Sequence, residues 1–172
     1  MKYMEYEVID NFLDEEYFDS LVTLFTDKEK TGNDVMPWFF GSSVAAEDTV
    51  EGNLFYMTHL IYFNNVPNSI HYDPLIPLLG KLDACKCLIR IKLNLYPNTE
   101  ILHEHPMHID YDFSHSPAIL SLNTCDGYTK LKDGTKIDSV ANRILLFDGI
   151  NEHCSTTTTN VSARINININ YF

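Results

Sequence analysis

Arg164-Ile165-Asn166-Ile167-Asn168-Ile169-Asn170 alternates polar and apolar side chains without a break. Only the two-residue period of a β-strand sorts such a run into two clean faces, one holding Arg164 and the asparagines and the other the isoleucines. If Arg164 points into a barrel, so do the asparagines, and the cavity they line is polar and hydrogen-bonding while the isoleucines pack under helices. The competing arrangement leaves the asparagines on an exposed face.

Working outward from this strand, the chain from Cys87 onward consists of short runs of Ile, Leu, Val, Tyr and Thr. They are separated by turn signals at Pro97-Asn98, Asp126-Gly127, Asp133-Gly134, Asp148-Gly149 and Thr159-Asn160, which gives seven or eight strands. Upstream, Val8 to Leu13 reads as a strand entering a turn. Asp14 is placed to cap a helix whose first turn holds Glu15 and Glu16 and whose Tyr17, Phe18, Leu21, Val22, Leu24 and Phe25 form one apolar stripe. Lys28 to Asn53 reads as a loop region with an aromatic knot at Met36-Pro37-Trp38-Phe39-Phe40, and a second helix is expected from Asp73 to Leu82, shortened by Pro77. Helices first and closely spaced strands after them indicate an α+β, mostly β, chain. Residues 1–172 are expected to form a single domain, with 1–86 as helical support and 87–172 as a jelly-roll barrel core.

The bulk properties exclude several classes of function. Twelve basic against twenty-four acidic residues give a net charge of -12, a field that repels nucleic-acid phosphates and anionic lipid, and no basic patch counters it. Met1 to Val8 carries no apolar run and no stretch of eighteen apolar residues occurs, so neither a secretory leader nor a membrane span is expected, and the location expected is cytoplasmic. Cys85, Cys87, Cys125 and Cys154 lack paired zinc-site spacing and read as reduced thiols.

The densest group of ligand-type residues is His103-Glu104-His105-Pro106-Met107-His108-Ile109-Asp110. In a strand, His108 and Asp110 point to the same face and can reach one ion. His103 and His105 could do likewise, but the cupin pattern they open wants a Glu a few residues on, where Met107, His108 and Ile109 stand, and Pro106 interrupts a strand there. The third ligand must then come from elsewhere, and His153 follows the turn at Asp148 to Asn151, whereas His59 and His71 fall in the half read as helical and His115 follows a loop. Two imidazoles and one carboxylate occupy one face of an octahedral Fe(II) and leave three positions open, an arrangement suited to oxidative chemistry. Arg164 follows His153 by eleven positions, and a hairpin at Thr159-Asn160 is expected to return it towards the metal. Its planar fork suits the distal carboxylate of a 2-oxo acid chelated at the iron.

His108-Ile109-Asp110, His153 and Arg164, in this order and spacing, resemble the 2-oxoglutarate/Fe(II)-dependent dioxygenase superfamily, nearest its prolyl-4-hydroxylase-like branch. The resemblance covers Arg90 to Tyr171 and, more loosely, Val8 to Leu13. It implies a double-stranded β-helix fold, with Fe(II), 2-oxoglutarate and dioxygen as cofactors and ascorbate as reductant. Leu95-Tyr96-Pro97 is similar to the branch's first barrel strand, which gives Tyr96 a hydrogen bond to the co-substrate carboxylate. Ala118 to Asn123 with Asp126-Gly127-Tyr128-Thr129 looks like its strand-turn-strand stretch, adding Thr129 to the co-substrate contacts. Two positions depart from the pattern: Ser121 stands where a tyrosine is usual in the animal oxygen-sensing enzymes, and Asn166 where a Ser or Thr is common two residues after the arginine. Compact members of this kind are frequent in bacteriophages, which would make the location a host cytoplasm.

The implied activity is hydroxylation of a substrate C–H bond with release of succinate and carbon dioxide, the substrate being a peptidyl side chain such as proline or a small molecule, and not nucleic acid or a membrane. Rival readings are a catalytically silent sensor binding metal and 2-oxo acid, and a cupin-type isomerase using His103 and His105. Among the remaining residues, Glu104 reads as merely exposed, Cys154 as pointing away from the metal into the core, and the Thr156 to Thr159 run as strand propensity beside a turn.

Overall fold

The computed structural model describes residues 6–26, 36–43, 54–82 and 85–172. Met1 to Glu5 and most of the loop expected between Lys28 and Asn53 lie outside the described residues. The elements run β1 (Tyr6–Ile9), α1 (Glu15–Thr26), β2 (Phe39–Gly41), β3 (Tyr56–Phe63), β4 (Val66–Pro67), α2 (Ile76–Gly80), β5 (Leu88–Pro97), β6 (Ser116–Ser121), β7 (Tyr128–Leu131), β8 (Lys136–Asp138), β9 (Ile144–Phe147), β10 (His153–Ser155) and β11 (Ala163–Tyr171). Seven strands therefore follow Cys87, within the number expected.

The large sheet has the order β1-β9-β6-β11-β5-β3-β2 with β4 alongside β3, and the small one the order β10-β7-β8. The two close over one another as a double-stranded β-helix. β11, the strand with the unbroken alternation, lies at the centre of the large sheet between β5 and β6. A central strand offers one face to each layer, which is the condition under which strict alternation has a meaning. Ile167 and Ile169 are fully buried in the main core with Phe18, Leu21 and Phe25 of α1 and with Leu75 and Leu78, so the isoleucine face lies under the helices. Asn166, Asn168 and Asn170 are 1%, 5% and 0% exposed on the opposite face, inside the barrel.

The helices conform in outline. The Asp14 carbonyl accepts the Phe18 N–H at 2.9 Å, which opens α1 where expected, while the Asp14 carboxylate pairs with Lys81 at 3.1 Å. The second helix is a single 3₁₀ turn, Asp73–Leu75, continued by the short α2, with Pro74 and Pro77 each in the first turn of its element.

Two sequence expectations need correction. The segment 1–86 is not only helical support: β3 lies beside β5 in the large sheet, so His59 sits on a strand, and Asn64 and Asn65 at φ 52° and 63° turn β3 into β4. Nor does the Thr159-Asn160 turn make a hairpin. β10 pairs with β7 in the small sheet and β11 with β5 and β6 in the large one, so residues 156–162 carry the chain from one sheet to the other. The threonine run holds this crossing in place. Thr158 and Thr159 donate to the Asp126 carboxylate, Thr156 Oγ1 accepts the Tyr128 N–H at 2.9 Å, and Thr157 Oγ1 accepts the His103 N–H at 2.9 Å.

Candidate active site

The metal-ligand candidates come from two strings of chain lying side by side. Residues 103–108 run along β10 and its continuation as an irregular further strand of the small sheet. His108 and His153 exchange both backbone hydrogen bonds, at 3.0 and 2.9 Å, His105 N–H donates to Ser155 O at 2.9 Å, and Thr157 N–H to His103 O at 3.0 Å. Pro106 prevents a regular ladder, so the expected His108 to Asp110 strand is an isolated bridge. It is extended enough for His108 and Asp110 to project together.

One ligand atom from each of His108, Asp110 and His153 lies within 4.8 Å of the others, and this is the one such group of three or more found among the described residues. His103 and His105 are not part of it; the His105 ring is buried against Tyr96 at 5.6 Å. The His108 Nδ1 faces the Pro106 carbonyl at 3.2 Å, and a carbonyl only accepts, so Nδ1 carries a hydrogen and Nε2 is the nitrogen left to bind a metal. Burial holds the His153 imidazole down to about 4, against the opposing pull of Asp110 and with help from His108, so the ring is neutral at physiological pH.

Asp110 is held on three sides. Arg90 Nη2 is 2.8 Å from Oδ1, while Asn168 and Asn170 donate their amides to Oδ2 at 3.2 and 3.1 Å. Burial alone would raise the Asp110 carboxyl, but Arg90, His153 and Lys92 outweigh it and hold it far below the usual range, so it is ionised. Arg90, Asn168 and the three ligand candidates line a cavity of about 270 Å³ together with Lys92, Asn94, Tyr96, Ile109, Ile119, Ser155 and Asn166.

Arg164 lies on the same inward face of β11 as the asparagines. It is 1% exposed, donating from Nε to Ser139 Oγ at 2.9 Å, from Nη2 to Thr129 Oγ1 at 2.8 Å and from Nη1 to the Thr156 carbonyl at 3.4 Å, with its guanidinium carbon 5.4 Å from the Tyr96 ring centre. It was expected to face the metal; Tyr96, over whose ring its guanidinium lies, and Asn166 are among the residues that line the cavity. No carboxylate pairs with it among the described residues, and burial lowers its basicity, as it must for a cation without a counter-charge. Gly127 makes room for it: a Cβ there would fall 2.8 Å from Arg164 Cδ and 2.6 Å from the Thr157 carbonyl. The other expected co-substrate residues gather nearby. Ser121 Oγ is 3.4 Å from Ser139 Oγ, and Asn166 Oδ1 accepts from Asn94 at 3.0 Å.

Four residues of this site escaped the sequence reading. Ser139 has no local signal. Arg90, Lys92 and Asn94 had one, because Arg90-Ile91-Lys92-Leu93-Asn94-Leu95-Tyr96 alternates just as β11 does, and β5 is its neighbour.

No protein-family model matches the sequence, and no curated protein sequence matches it. Solved structures do. A prolyl hydroxylase from Trichoplax adhaerens, in complex with a hypoxia-inducible-factor oxygen-degradation-domain peptide, superposes with a TM-score of 0.61 at 17% identity over 98% of this chain and 83% of its own. A prolyl-4-hydroxylase from Pseudomonas putida gives 0.65 at 13% identity over 98% and 93%. An oxidoreductase of the 2OG-Fe(II) oxygenase family from Burkholderia pseudomallei gives 0.67 at 10% over 99% and 86%. The chain has the double-stranded β-helix fold of the 2OG-Fe(II) oxygenases along nearly its whole length.

Proposed function

We propose that the chain is an Fe(II)- and 2-oxoglutarate-dependent oxygenase that hydroxylates a C–H bond of a peptide side chain or small molecule. The observation carrying this reading is the convergence of two imidazoles and one ionised carboxylate in the interior of a barrel that also buries an arginine with no carboxylate partner among the described residues. The donor set fits the ion: imidazole and carboxylate in a 2-His-1-carboxylate face with open positions is the preference of non-haem Fe(II).

Iron with 2-oxoglutarate and dioxygen supplies an oxidant able to break a C–H bond, with succinate and carbon dioxide as by-products and ascorbate as a reductant. The protein supplies orientation. The Pro106 carbonyl fixes the His108 tautomer, and Arg90, Asn168 and Asn170 fix the carboxylate of Asp110, so the ligands are set before the metal arrives. Arg164 offers a carboxylate of the co-substrate a charged fork seated on Ser139 and Thr129. Tyr96, whose hydroxyl burial keeps protonated against the pull of Arg164, adds a donor. Ile109 and Ile119 supply the apolar part of the cavity wall. The prolyl hydroxylases that share the fold favour a peptidyl target.

The test is succinate formation from 2-oxoglutarate by the purified protein with Fe(II) under air. We expect turnover in the wild type and none above background in His108→Ala or Asp110→Ala. A wild type that binds both Fe(II) and 2-oxoglutarate yet forms no succinate with any substrate is a sensor, and the enzyme reading is then wrong.

A further inference from the structure

The inward row of β5 carries two cations, Arg90 and Lys92, into the same cavity as the metal ligands, and their partners do not balance them. Among the described residues Asp110 is the one carboxylate in the cavity wall, and it is a candidate metal ligand as well as the partner of Arg90. Resting on the oxygenase reading above, the charges of the loaded site can be followed. One carboxylate of 2-oxoglutarate together with Asp110 neutralises a divalent ion, the other carboxylate neutralises Arg164, and Arg90 and Lys92 remain without anions. Arg90 at least touches Asp110 and Asn168, at 2.8 and 3.5 Å. Lys92 has no hydrogen bond or ion pair among the described residues, and its ammonium meets only the face of Tyr56, 5.6 Å from the ring centre.

We infer that Lys92 is the anchor for an anionic group of the prime substrate, a carboxylate carried close to the C–H bond that reacts. A cation held in a cavity wall costs free energy unless something of opposite charge comes to it, and the chain as a whole, at net charge -12, is the opposite of a trap for anions. Burial brings the Lys92 ammonium down to about 8, aided by Arg90 and opposed by Asp110, so it remains mostly protonated at neutral pH. A cavity of about 270 Å³ is below the ordinary range for a drug-sized ligand, so beside 2-oxoglutarate there is room for one small acid or one acidic side chain.

The experiment is carried out without oxygen on protein loaded with Fe(II) and saturating 2-oxoglutarate, using ¹³C-labelled acetate as the anion and labelled acetamide as its neutral match. Paramagnetic Fe(II) broadens the resonance of a molecule lodged in the cavity. We expect acetate to be broadened at least ten-fold more than acetamide, the difference to vanish in Lys92→Met and to be largely restored in Lys92→Arg, with the broadening in each protein taken per site that holds 2-oxoglutarate. Equal broadening of the two probes, equal acetate broadening in wild type and Lys92→Met, or acetate acting by displacing 2-oxoglutarate each overturns the assignment. Failure of the wild type to bind Fe(II) and 2-oxoglutarate is seen separately, in the signal of the co-substrate, and overturns the oxygenase reading beneath it.

Discussion

Arg164, on the proposed reading, is held for binding at the expense of folding. A buried guanidinium with hydroxyl and carbonyl partners but no carboxylate is a net cost to the folded chain, and such groups can often be replaced by apolar side chains of similar volume without loss. Arg164→Met is therefore expected to leave the thermal midpoint of the ligand-free protein unchanged or higher. Loss of a charge-assisted fork worth about 3 kcal/mol would weaken 2-oxoglutarate roughly 100-fold. Calorimetric titration beside a melting curve checks both, and a variant that melts much lower with unchanged affinity would make Arg164 a structural residue. The convergence of His108, Asp110 and His153 and the inward face of Arg164 were legible because each stands in a local pattern: a His-x-Asp step, a histidine after a turn, an alternating strand. What those side chains touch was not. Ser139 reaches Arg164 across twenty-five positions, and that approach is set by the closing of two sheets rather than by neighbours in sequence.

At the scale of elements, the site depends on an irregular strand being kept in place. Residues 103–108 lie at the edge of the small sheet, where Pro106 interrupts the ladder, and Glu104, which reads as merely exposed, fastens them. Its Oε1 accepts the Tyr128 hydroxyl at 2.5 Å, its Oε2 lies 2.7 Å from Lys130 Nζ, and Lys136 reaches both Glu104 and Tyr128. Chiefly through Lys130 and then Tyr128, the Glu104 carboxyl is drawn from its ordinary 4.5 down to about 2. A carboxyl depressed in the folded state stabilises it fully above the unfolded value and loses that contribution as pH falls through the folded one. The metal-free wild type should therefore unfold at higher urea than Glu104→Gln above pH about 4.5, with the gap closing towards pH about 2. A gap constant across that range would assign the effect to packing. The sequence misplaced other elements for a physical reason. Tyr56-Met57-Thr58-His59-Leu60-Ile61-Tyr62-Phe63 is partly buried on both faces, so it shows no clean alternation, although the Asn64-Asn65 turn after it was there to read.

For the whole molecule, the question is what binds the N-terminal segment, with β1 and α1, to the barrel on which α1 lies. Asn142, between β8 and β9, answers it. Its Oδ1 accepts the Leu13 N–H at 2.9 Å, its Nδ2 donates to the Leu13 carbonyl at 2.8 Å, and its own carbonyl accepts the Phe12 N–H at 3.0 Å. Next to it, Arg143 Nη2 reaches the Asp10 carboxylate at 3.0 Å. The clip spans 129 positions, which makes it an agent of cooperativity rather than of local order. Asn142 also has φ 61°, a conformation that asparagine tolerates better than alanine. Removing the amide strands two buried backbone groups of Leu13, so Asn142→Ala should cost roughly 3 kcal/mol. Asn142→Gly, free of the φ penalty, should cost about 1 kcal/mol less. Since whole domains are stable by only about 5–15 kcal/mol, a loss of that size is read easily from urea melts. If the clip couples the segment to the barrel, both variants unfold in one transition displaced to lower urea. If α1 loosens first while the barrel persists, two transitions separate, and the N-terminal layer is then an attachment that the double-stranded β-helix does not need in order to stay folded.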